Sequence, residues 1–411
     1  MSDAKKTISR VYLDWAAATP LLPAAYAAME PYLLGGFGNP SAIHAEGQQA
    51  RVAVEAARAT IASAVQVRPE YVTVTSGGTE GNNLAIFGLV ESLSKGNPST
   101  GLVGRAYESM TVITTKIEHP SVGEALVALA ARGVQVRYVQ VTEAGKIDLE
   151  HLRTLLDASV VLVSTALINS EIGTIQPTRA IHKILHTAEV KYDTNIYLHL
   201  DAAQAPLWLN CQFDALGADL VTLDAAKFCG PKGVGLLIRS KRTHLAPAVF
   251  GGGQESGLRP GTENVAGIVG AARALEAAQA NWRARADQVR AVRDEAIEHI
   301  LTMFPKGNPS EVLLNGAVGV DRVANNINIS IPGLDTEFAA VVLDKHGFAV
   351  STKSACSGAG SGASTVVQET TKDPARASAT LRITLGPDNT IEQLQSLTGV
   401  LKKHVMQMSG Y

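Results

Sequence analysis

Two strand-like runs of this chain end in residues that could bind and activate an aldehyde cofactor. The segment HLDAAQ (199–204) follows the apolar residues 196–198, and Lys227 follows residues 220–223. A lysine amine can form a Schiff base with a carbonyl, and a carboxylate such as Asp201 can pair with a pyridinium nitrogen so that the ring withdraws electrons. Alone, these residues are better explained as a solvated lysine and a capping aspartate. Further motifs at similar positions favour a pyridoxal phosphate (PLP) enzyme.

One of these motifs could hold a phosphate. Residues 71–75 are strand-like and lead into SGGTE (76–80), which opens a helical pattern. Glycines allow a close approach of the backbone, and the first turn of a helix offers free N–H groups and the positive end of its dipole. Gly78 and Thr79 are therefore candidates for phosphate binding. A common Ser/Thr helix cap explains the same residues, so this motif is weak by itself.

Three more polar side chains lie in or after strand-like runs. His119 follows residues 111–115 and could lie on a planar cofactor or move protons, although a loop histidine before a helix is the simpler alternative. Asn169 follows residues 160–164 and suits either a hydrogen bond to a ligand or a turn. Arg382 offers a planar fork for a carboxylate, and a structural ion pair is the alternative.

Two glycine-rich loops complete the set of candidates. Residues 251–264 (GGGQESGLRPGTEN) could wrap an anion and are too rich in polar side chains for a simple linker. Residues 354–360 (SACSGAG) place Cys356 among small residues, where we expect an exposed thiol that can travel as a nucleophile. An incidental exposed cysteine explains the second loop as well.

Short apolar runs alternate with helical patterns such as Ala45–Val65, which predicts an α/β domain with a mostly parallel sheet. Sheets of this kind bind ligands at the carboxyl ends of their strands. The seven predicted strands are residues 71–75, 111–115, 136–139, 160–164, 196–200, 220–223 and 234–238.

A long helix predicted over residues 265–301 leads to a smaller α+β region. There we expect a strand at 323–331, helices at 335–345 and 390–406, and a strand at 380–384. The predicted domains are a large PLP-binding domain, 19–281, and a small domain made of 1–18 and 282–411 that carries the Cys356 loop.

The composition is that of an ordinary globular enzyme with a large core. The chain has 411 residues, 46% of them hydrophobic and 18% charged, and a formal net charge of −2. This charge gives no reason to expect nucleic acid or an acidic membrane as a partner. No signal peptide, membrane span, disulfide framework or metal-ligand spacing is visible, so we expect a cytoplasmic protein without a metal site.

Taken together, the motifs resemble those of cysteine desulfurases of the NifS/IscS type, which are fold-type I PLP enzymes of the class V aminotransferase group. The resemblance runs through almost the whole chain, from Val11 to Gly386, and the ordered set is specific although no single member is. The set consists of SGGTEGNNLAI, EHPSV, NSEIGTIQP, HLDAAQ, KFCGPKGVG, GGGQESGLRPGTENV and SACSGAG.

The resemblance implies a role for each candidate and a PLP-dependent transfer of sulfur from L-cysteine. It implies a homodimer that passes the sulfur to an iron–sulfur scaffold or a thiolation factor. The implied roles are Lys227 for the Schiff base, Asp201 for the pyridinium nitrogen, Gln204 for the phenolate oxygen, His119 for stacking and proton transfer, Asn169 for substrate and cofactor, Gly78 and Thr79 for the phosphate, Thr262 for a phosphate contact lent by the second subunit, Arg382 for the substrate carboxylate and Cys356 for the sulfur.

Two alternatives stay open. A PLP aminotransferase or a selenocysteine lyase on the same fold would use the same lysine and arginine, although an aminotransferase does not need Cys356. A PLP-fold scaffold that has lost catalysis is a further alternative, and a departure from the family near Lys227 gives it some weight.

That departure lies directly before the lysine. The family usually has a serine and a histidine, spaced Ser-x-His-Lys, that contact the phosphate, but this chain has Asp224 and Ala226. We expect Asp224 either to turn away and pair with a basic residue, to be protonated, or to leave a weaker phosphate site; the first, with a looser grip on PLP, is preferred. Cofactor titration should then show a higher affinity after Ala226→His, and an equal or lower affinity contradicts this expectation.

Overall fold

The computed structural model describes residues 10–96, 103–352 and 362–408. Its strands form one sheet of seven, one of three and one of two strands. The strands are β1 (Val11–Tyr12), β2 (Val72–Thr75), β3 (Thr111–Thr114), β4 (Gln135–Tyr138), β5 (Val160–Ala166), β6 (Tyr197–Asp201), β7 (Leu220–Asp224), β8 (Gly235–Arg239), β9 (Leu313–Leu314), β10 (Asn326–Ser330), β11 (Phe348–Ala349) and β12 (Thr380–Thr384).

The large sheet confirms the predicted α/β fold and all seven predicted strands. Its order is β2-β8-β7-β6-β5-β3-β4, and only β8 runs antiparallel to its neighbours. The central strands β5, β6 and β7 are buried nearly throughout, as strands covered on both faces are. Because β8 is antiparallel to both β2 and β7, β2 points the same way as the parallel strands. The carboxyl ends of six strands therefore meet at one edge.

Helices cover both faces of this sheet. On one face α2 and α8 pack around Ile61 and Leu275, and on the other α3 and α4 pack around Ile86 and Leu126. Within the ranges described, no helix combines the length and apolar composition that crossing a bilayer requires. The helices are α1 (Pro23–Leu34), α2 (Ala45–Val65), α3 (Gly78–Lys95), α4 (Pro120–Ala130), α5 (Leu149–Leu155), α6 (Thr178–Tyr192), α7 (Phe213–Leu216), α8 (Val265–Ala280), α9 (Trp282–Leu301), α10 (Thr336–Lys345), α11 (Thr365–Thr371), α12 (Pro374–Ser378) and α13 (Ile391–Met408).

The C-terminal elements form a second, smaller layer. Strands β12, β10 and β9 make an antiparallel sheet in that order, and α9, α10 and α13 pack beside it. The N-terminal strand β1 joins this part of the chain by pairing with β11. The predicted strand at 323–331 is shorter than expected and spans only β10. The division into domains at 18/19 and 281/282 stays a prediction.

The single helix predicted over residues 265–301 is wrong, because the chain forms two helices. Asn281 leaves the helical region, with φ −130° and ψ 25°, and separates α8 from α9. Asparagine favours such breaks because its side chain competes for backbone hydrogen bonds. The Arg285 guanidinium stabilises the break by donating to the carbonyls of Ala277 and Ala278, which end α8 without a helical partner.

A buried histidine links the three central strands. His199 on β6 bonds through Nδ1 to Ser164 Oγ on β5 at 2.8 Å and through Nε2 to Thr222 Oγ1 on β7 at 3.1 Å. Burial lowers the pKa of His199 to about 3, so the imidazole is neutral at physiological pH. The unfolded chain, with a histidine pKa near 6.5, takes up this proton much more readily.

Stability should therefore fall in mild acid through His199. The stability that comes from keeping His199 neutral is complete above pH 6.5 and is lost as the pH falls towards 3. At pH 5 the free energy of unfolding is already lower by about 2 kcal/mol for this reason. Urea unfolding at pH 7 and pH 5 should show a smaller pH dependence for His199→Gln than for the wild type. The exposed His182, replaced by glutamine, is the control, and an unchanged slope in His199→Gln contradicts the assignment.

Candidate active site

A cavity of about 710 Å³ opens at the edge where the strands end. Its lining contains eight of the ten residues singled out from the sequence. These are Gly78, Thr79, His119, Asn169, Asp201, Gln204, Lys227 and Arg382. Strands β2, β3, β5, β6 and β7 each end at this cavity, and the residues just beyond or at those ends supply seven of the eight. The fold thus brings together side chains that are up to 304 positions apart in the sequence.

The N-terminal residues 16–19 contact Lys227 and its neighbour Ala226. Lys227 Nζ donates to the carbonyl of Ala16 at 3.1 Å and to that of Ala17, and Gln204 Nε2 donates to Ala16 at 2.9 Å. Thr19 closes the arrangement by donating through N and Oγ1 to the carbonyl of Ala226. Sequence reasoning missed this segment because backbone carbonyls leave no signature in residue type.

Asp201 belongs to a hydrogen-bond network that reaches His119. Asn82 Nδ2 donates to Asp201 Oδ2 and to Ser121 Oγ, both at 2.8 Å, and Ser121 Oγ lies 2.7 Å from His119 Nδ1. The amide of Ala203 also donates to Asp201, at 3.1 Å. The network fixes the carboxylate at the end of β6. Asn82 and Ser121 lie within the motifs SGGTEGNNLAI and EHPSV, but their residue types alone do not indicate these roles.

The same network sets the protonation of His119. The backbone N–H of Ser121 donates to His119 Nδ1 at 3.1 Å, which places any proton of the neutral ring on Nε2. Burial lowers the pKa of His119, and the Lys227 amine lowers it further, while Asp201 and Asp224 raise it in part. The ring is therefore neutral near pH 7 and presents an Nε2–H to its surroundings.

Glu118, next to His119, is a second group that sequence reasoning left without a role. Its carboxylate accepts from Thr115 Oγ1 at 2.6 Å, from Thr165 Oγ1 at 3.1 Å and from the amide of Ala166 at 2.6 Å. These bonds join the ends of β3 and β5 beneath the cavity. Burial raises the pKa of Glu118 to about 7, so this carboxyl exchanges a proton near neutral pH.

The N-terminus of α3 faces the cavity through a tight glycine turn. Gly77 has φ +155°, a conformation open to glycine, and a Cβ on Gly235 would lie 2.4 Å from the Gly77 backbone. The turn directs the Gly78 amide at Asp224, whose Oδ2 accepts at 3.2 Å while Oδ1 accepts from the Ala226 amide at 3.0 Å. The preferred expectation that Asp224 turns away to a basic residue is therefore wrong, because its carboxylate is satisfied by backbone N–H groups.

Asn169 lines the cavity but uses most of its amide within its own loop. Its Oδ1 accepts from the amides of Glu171 and Ile172, both at 3.0 Å, and its Nδ2 donates to the carbonyl of Ile117 at 2.8 Å. These bonds hold the loop after β5 against the loop after β3. One proton on Nδ2 is left for a ligand.

Arg382 is buried on β12 and is already in an ion pair. Its guanidinium donates to Asp14 Oδ1 at 2.9 Å and to the carbonyl of Ser170 at 3.1 Å. Its buried Nε has no hydrogen-bond partner among the described residues. A buried N–H without a partner is costly, and a carboxylate ligand would relieve that cost.

One predicted residue, Thr262, is exposed and lies outside the lining of this cavity. Cys356 lies outside the residues that the structure describes. Cys211 is buried and Cys229 half-buried, and burial raises the pKa of each thiol. The described ranges contain no group of three or more side chains suited to hold a metal ion.

The residues present fit PLP at the ring end of the cavity. An amine, a carboxylate and an amide converge on it in Lys227, Asp201 and Gln204, and the buried Asn82 Oδ1 beside Asp201 has no hydrogen-bond partner in the described part of the chain. Lys227 would hold the aldehyde carbon, and Asp201 the pyridinium nitrogen. At the phosphate end, the backbone of α3 fits an anion, but Asp224 already contacts it.

The fold and this lysine–aspartate site define a PLP-dependent enzyme, and comparison with known proteins places it more narrowly. Residues 11–397 match the family described as Aminotransferase class-V. The chain therefore belongs to the class-V aminotransferase family.

Proteins similar to this chain include cysteine desulfurases. A protein named cysteine desulfurase IscS from Dictyoglomus turgidum is 37% identical over 97% of this chain and 95% of its own length. A solved NifS-like protein superposes with a TM-score of 0.85 at 30% identity, covering 96% of this chain and 99% of its own. A structure described as SspA in complex with cysteine has a TM-score of 0.73 at 28% identity, covering 92% and 99%. The predicted resemblance to NifS/IscS-type proteins is confirmed.

The pairing of Arg382 with Asp14 predicts that Asp14 weakens the binding of carboxylate ligands. Asp14→Asn keeps the shape and the acceptor oxygen but removes a competing negative charge. We expect the dissociation constant for L-alanine, measured on the cofactor-loaded protein by absorbance titration, to fall about fivefold. Asp344→Asn, which breaks the exposed pair with Arg10, is the matched control. Weaker binding in Asp14→Asn would mean that Asp14 positions Arg382 and does not compete with the ligand.

Proposed function

We propose that this chain is a PLP-dependent cysteine desulfurase that converts L-cysteine to L-alanine and leaves a persulfide on Cys356. One observation carries most of the argument. The amine of Lys227, the carboxylate of Asp201 and the guanidinium of Arg382 line the same cavity. The names of the relatives, and the cysteine in one of the similar structures, support L-cysteine as the substrate.

Each side chain has a task that follows from its chemistry. When bound, PLP supplies a ring that withdraws electrons from the substrate's α-carbon. Lys227 holds the cofactor and, once released as a neutral amine, takes the α-proton. Arg382 orients the substrate by binding its carboxylate group, and Asp201 would pair with the ring nitrogen of PLP. The neutral His119 can donate its Nε2 proton or stack on the ring.

The sulfur step is assigned to Cys356. Its thiolate attacks the substrate sulfur, a sulfur–sulfur bond forms, and the substrate's carbon–sulfur bond breaks with its electron pair going to carbon. Protonation of that carbon then gives alanine.

The persulfide would pass to an acceptor, either an iron–sulfur scaffold or a thiolation factor. A cytoplasmic location, where thiols stay reduced, belongs to the same proposal.

Alanine and sulfide released from L-cysteine measure this activity directly. We expect Lys227→Ala to abolish both products and cofactor attachment, and Cys356→Ala to abolish both products while PLP still binds. Borohydride reduction and peptide mapping should find the cofactor on Lys227, because its amine lines the cavity together with Asp201 and Gln204 and can condense with the aldehyde.

The conservative variant Cys356→Ser separates the alternatives. It removes the sulfur nucleophile and nothing else, so a desulfurase or a lyase that needs the thiol loses activity. Full transamination by Cys356→Ser would instead identify an aminotransferase. The same product assay with selenocysteine measures the preference between the two substrates. If the absorbance of the cofactor-loaded protein does not change when cysteine is added, the protein is an inert scaffold.

We further propose that the enzyme is a homodimer in which the loop 251–264 completes the partner's site. Thr262 is exposed in the single chain and would contact the phosphate of the second subunit. Several large apolar side chains are also exposed near this loop and at or just after the end of α1, among them Leu34, Phe37 and Phe250. Exposed apolar side chains of this size are typical of surfaces that another chain covers.

Sedimentation velocity tests the dimer. We expect twice the chain mass at micromolar concentration, and a dissociation constant at least about tenfold higher for Phe250→Ser, because interface aromatics often dominate the binding free energy. Val103→Ser removes an equally exposed side chain from another part of the surface and should leave the dimer intact. A monomer at micromolar concentration contradicts the proposal.

A further inference from the structure

The carboxylate of Asp224 occupies the anion position at the N-terminus of α3. Its Oδ2 accepts from the Gly78 amide at 3.2 Å, and a Cβ built on Gly78 would lie 3.3 Å from that oxygen. The carboxylate therefore packs directly over the Gly77–Gly78 turn. The second oxygen is held by the Ala226 amide at 3.0 Å, which fixes the side chain in this orientation.

The helix would otherwise favour an external anion at this point. α3 has 18 residues, and its N-cap, Gly77, has no side chain to satisfy the first-turn amides. Glu80 reaches back to the Ser76 amide and pairs with Arg259 at 3.1 Å, so it does not compete for Gly78. Asp224 is thus the group, among the described residues, that supplies negative charge to the Gly78 amide.

Among the described residues that line the cavity, acidic side chains outnumber basic ones. Five acidic and three basic side chains line the cavity. Two of the basic ones are already paired, Arg382 with Asp14 at 2.9 Å and Lys116 with Glu369 at 3.6 Å. The third, Lys227, is the residue that would be joined to the cofactor. A phosphate dianion at Gly78 would therefore meet Asp224 without a lysine or arginine of the lining beside it to offset the repulsion.

We infer that Asp224 sets the selectivity of the cofactor site between phosphorylated and unphosphorylated pyridoxal, by standing where the phosphate would bind. This inference rests on the proposed function, since it concerns the same PLP site. The ring contacts through Lys227, Asp201 and Gln204 are equally available to both forms of the cofactor. Only the phosphorylated form has to displace the carboxylate from the Gly78 amide. Asp224 therefore reduces the advantage in affinity that the phosphate would otherwise give PLP over pyridoxal.

The substitution Asp224→Asn tests this directly, because the amide keeps the shape and one acceptor oxygen and loses the charge. Apparent dissociation constants for PLP and for pyridoxal are measured by absorbance titration of the apoprotein, with the thermal shift as a second readout. We expect the constant for PLP to fall by at least about tenfold, since like charges about 4–5 Å apart repel strongly in a partly buried site. The constant for pyridoxal should change by less than about twofold, because it carries no phosphate.

Two matched variants sharpen the result. Glu124→Gln removes a negative charge from an exposed side chain of the same cavity that makes no hydrogen bond to the Gly78 amide, and should change neither constant. Ala226→His adds a donor at the position that the family uses for phosphate and should strengthen PLP alone. Asp224→Ser, which also removes the charge, serves if Asp224→Asn does not fold.

The outcomes separate the inference from the proposed function. Equal changes for PLP and pyridoxal in Asp224→Asn, or no change in the PLP constant, overturn the role of Asp224 while the cofactor still maps to Lys227. If neither PLP nor pyridoxal attaches at Lys227 in the wild type or in the two Asp224 variants, the proposed function itself is overturned. A selective gain for PLP in Asp224→Asn and not in Glu124→Gln supports the inference.

Discussion

Strand direction is the constraint on which this site depends. A side chain at the end of one parallel strand meets those of its neighbours only if all the strands point the same way. Strands β3, β5, β6 and β7 are parallel, and β8 is inserted antiparallel between β7 and β2, so β2 keeps the common direction. The phosphate-type turn after β2 and the lysine after β7 consequently open onto one cavity. A strand of opposite direction would have placed its loop on the far edge.

Buried polar networks then hold the loops in register. Asn82 on α3 bonds to Asp201 on β6 and to Ser121 on α4, and Glu118 joins the ends of β3 and β5. A partly satisfied network of this kind costs free energy, and the partners left open mark where a ligand completes it. Asn82 Oδ1 and Arg382 Nε are such positions. The site is therefore preorganised for a charged, planar ligand and is not fully satisfied without one.

The departure from the family near Lys227 has a physical consequence. Where relatives of the usual type offer a hydroxyl and an imidazole to a phosphate, this chain offers a carboxylate that already binds the helix N-terminus. The lining has more acidic than basic side chains, so PLP would be held chiefly through its ring end. The expected difference concerns the binding free energy of the phosphate end, and the chain keeps Lys227, Asp201 and Arg382 in the cavity.

The strands of the large sheet and the family could be predicted from the sequence alone. The continuous apolar runs predicted all seven strands of the large sheet, and the ordered motifs predicted the family, because both depend on residue type and local spacing. The predicted single helix missed the break at Asn281, which Arg285 stabilises by donating to a carbonyl at the end of α8. Nor could the sequence predict the carbonyls of Ala16 and Ala17 at Lys227, the pairing of Arg382 with Asp14, or the orientation of Asp224. These contacts join residues up to 368 positions apart, and backbone groups, which every residue carries, make several of them, so only the folded chain decides which atoms meet.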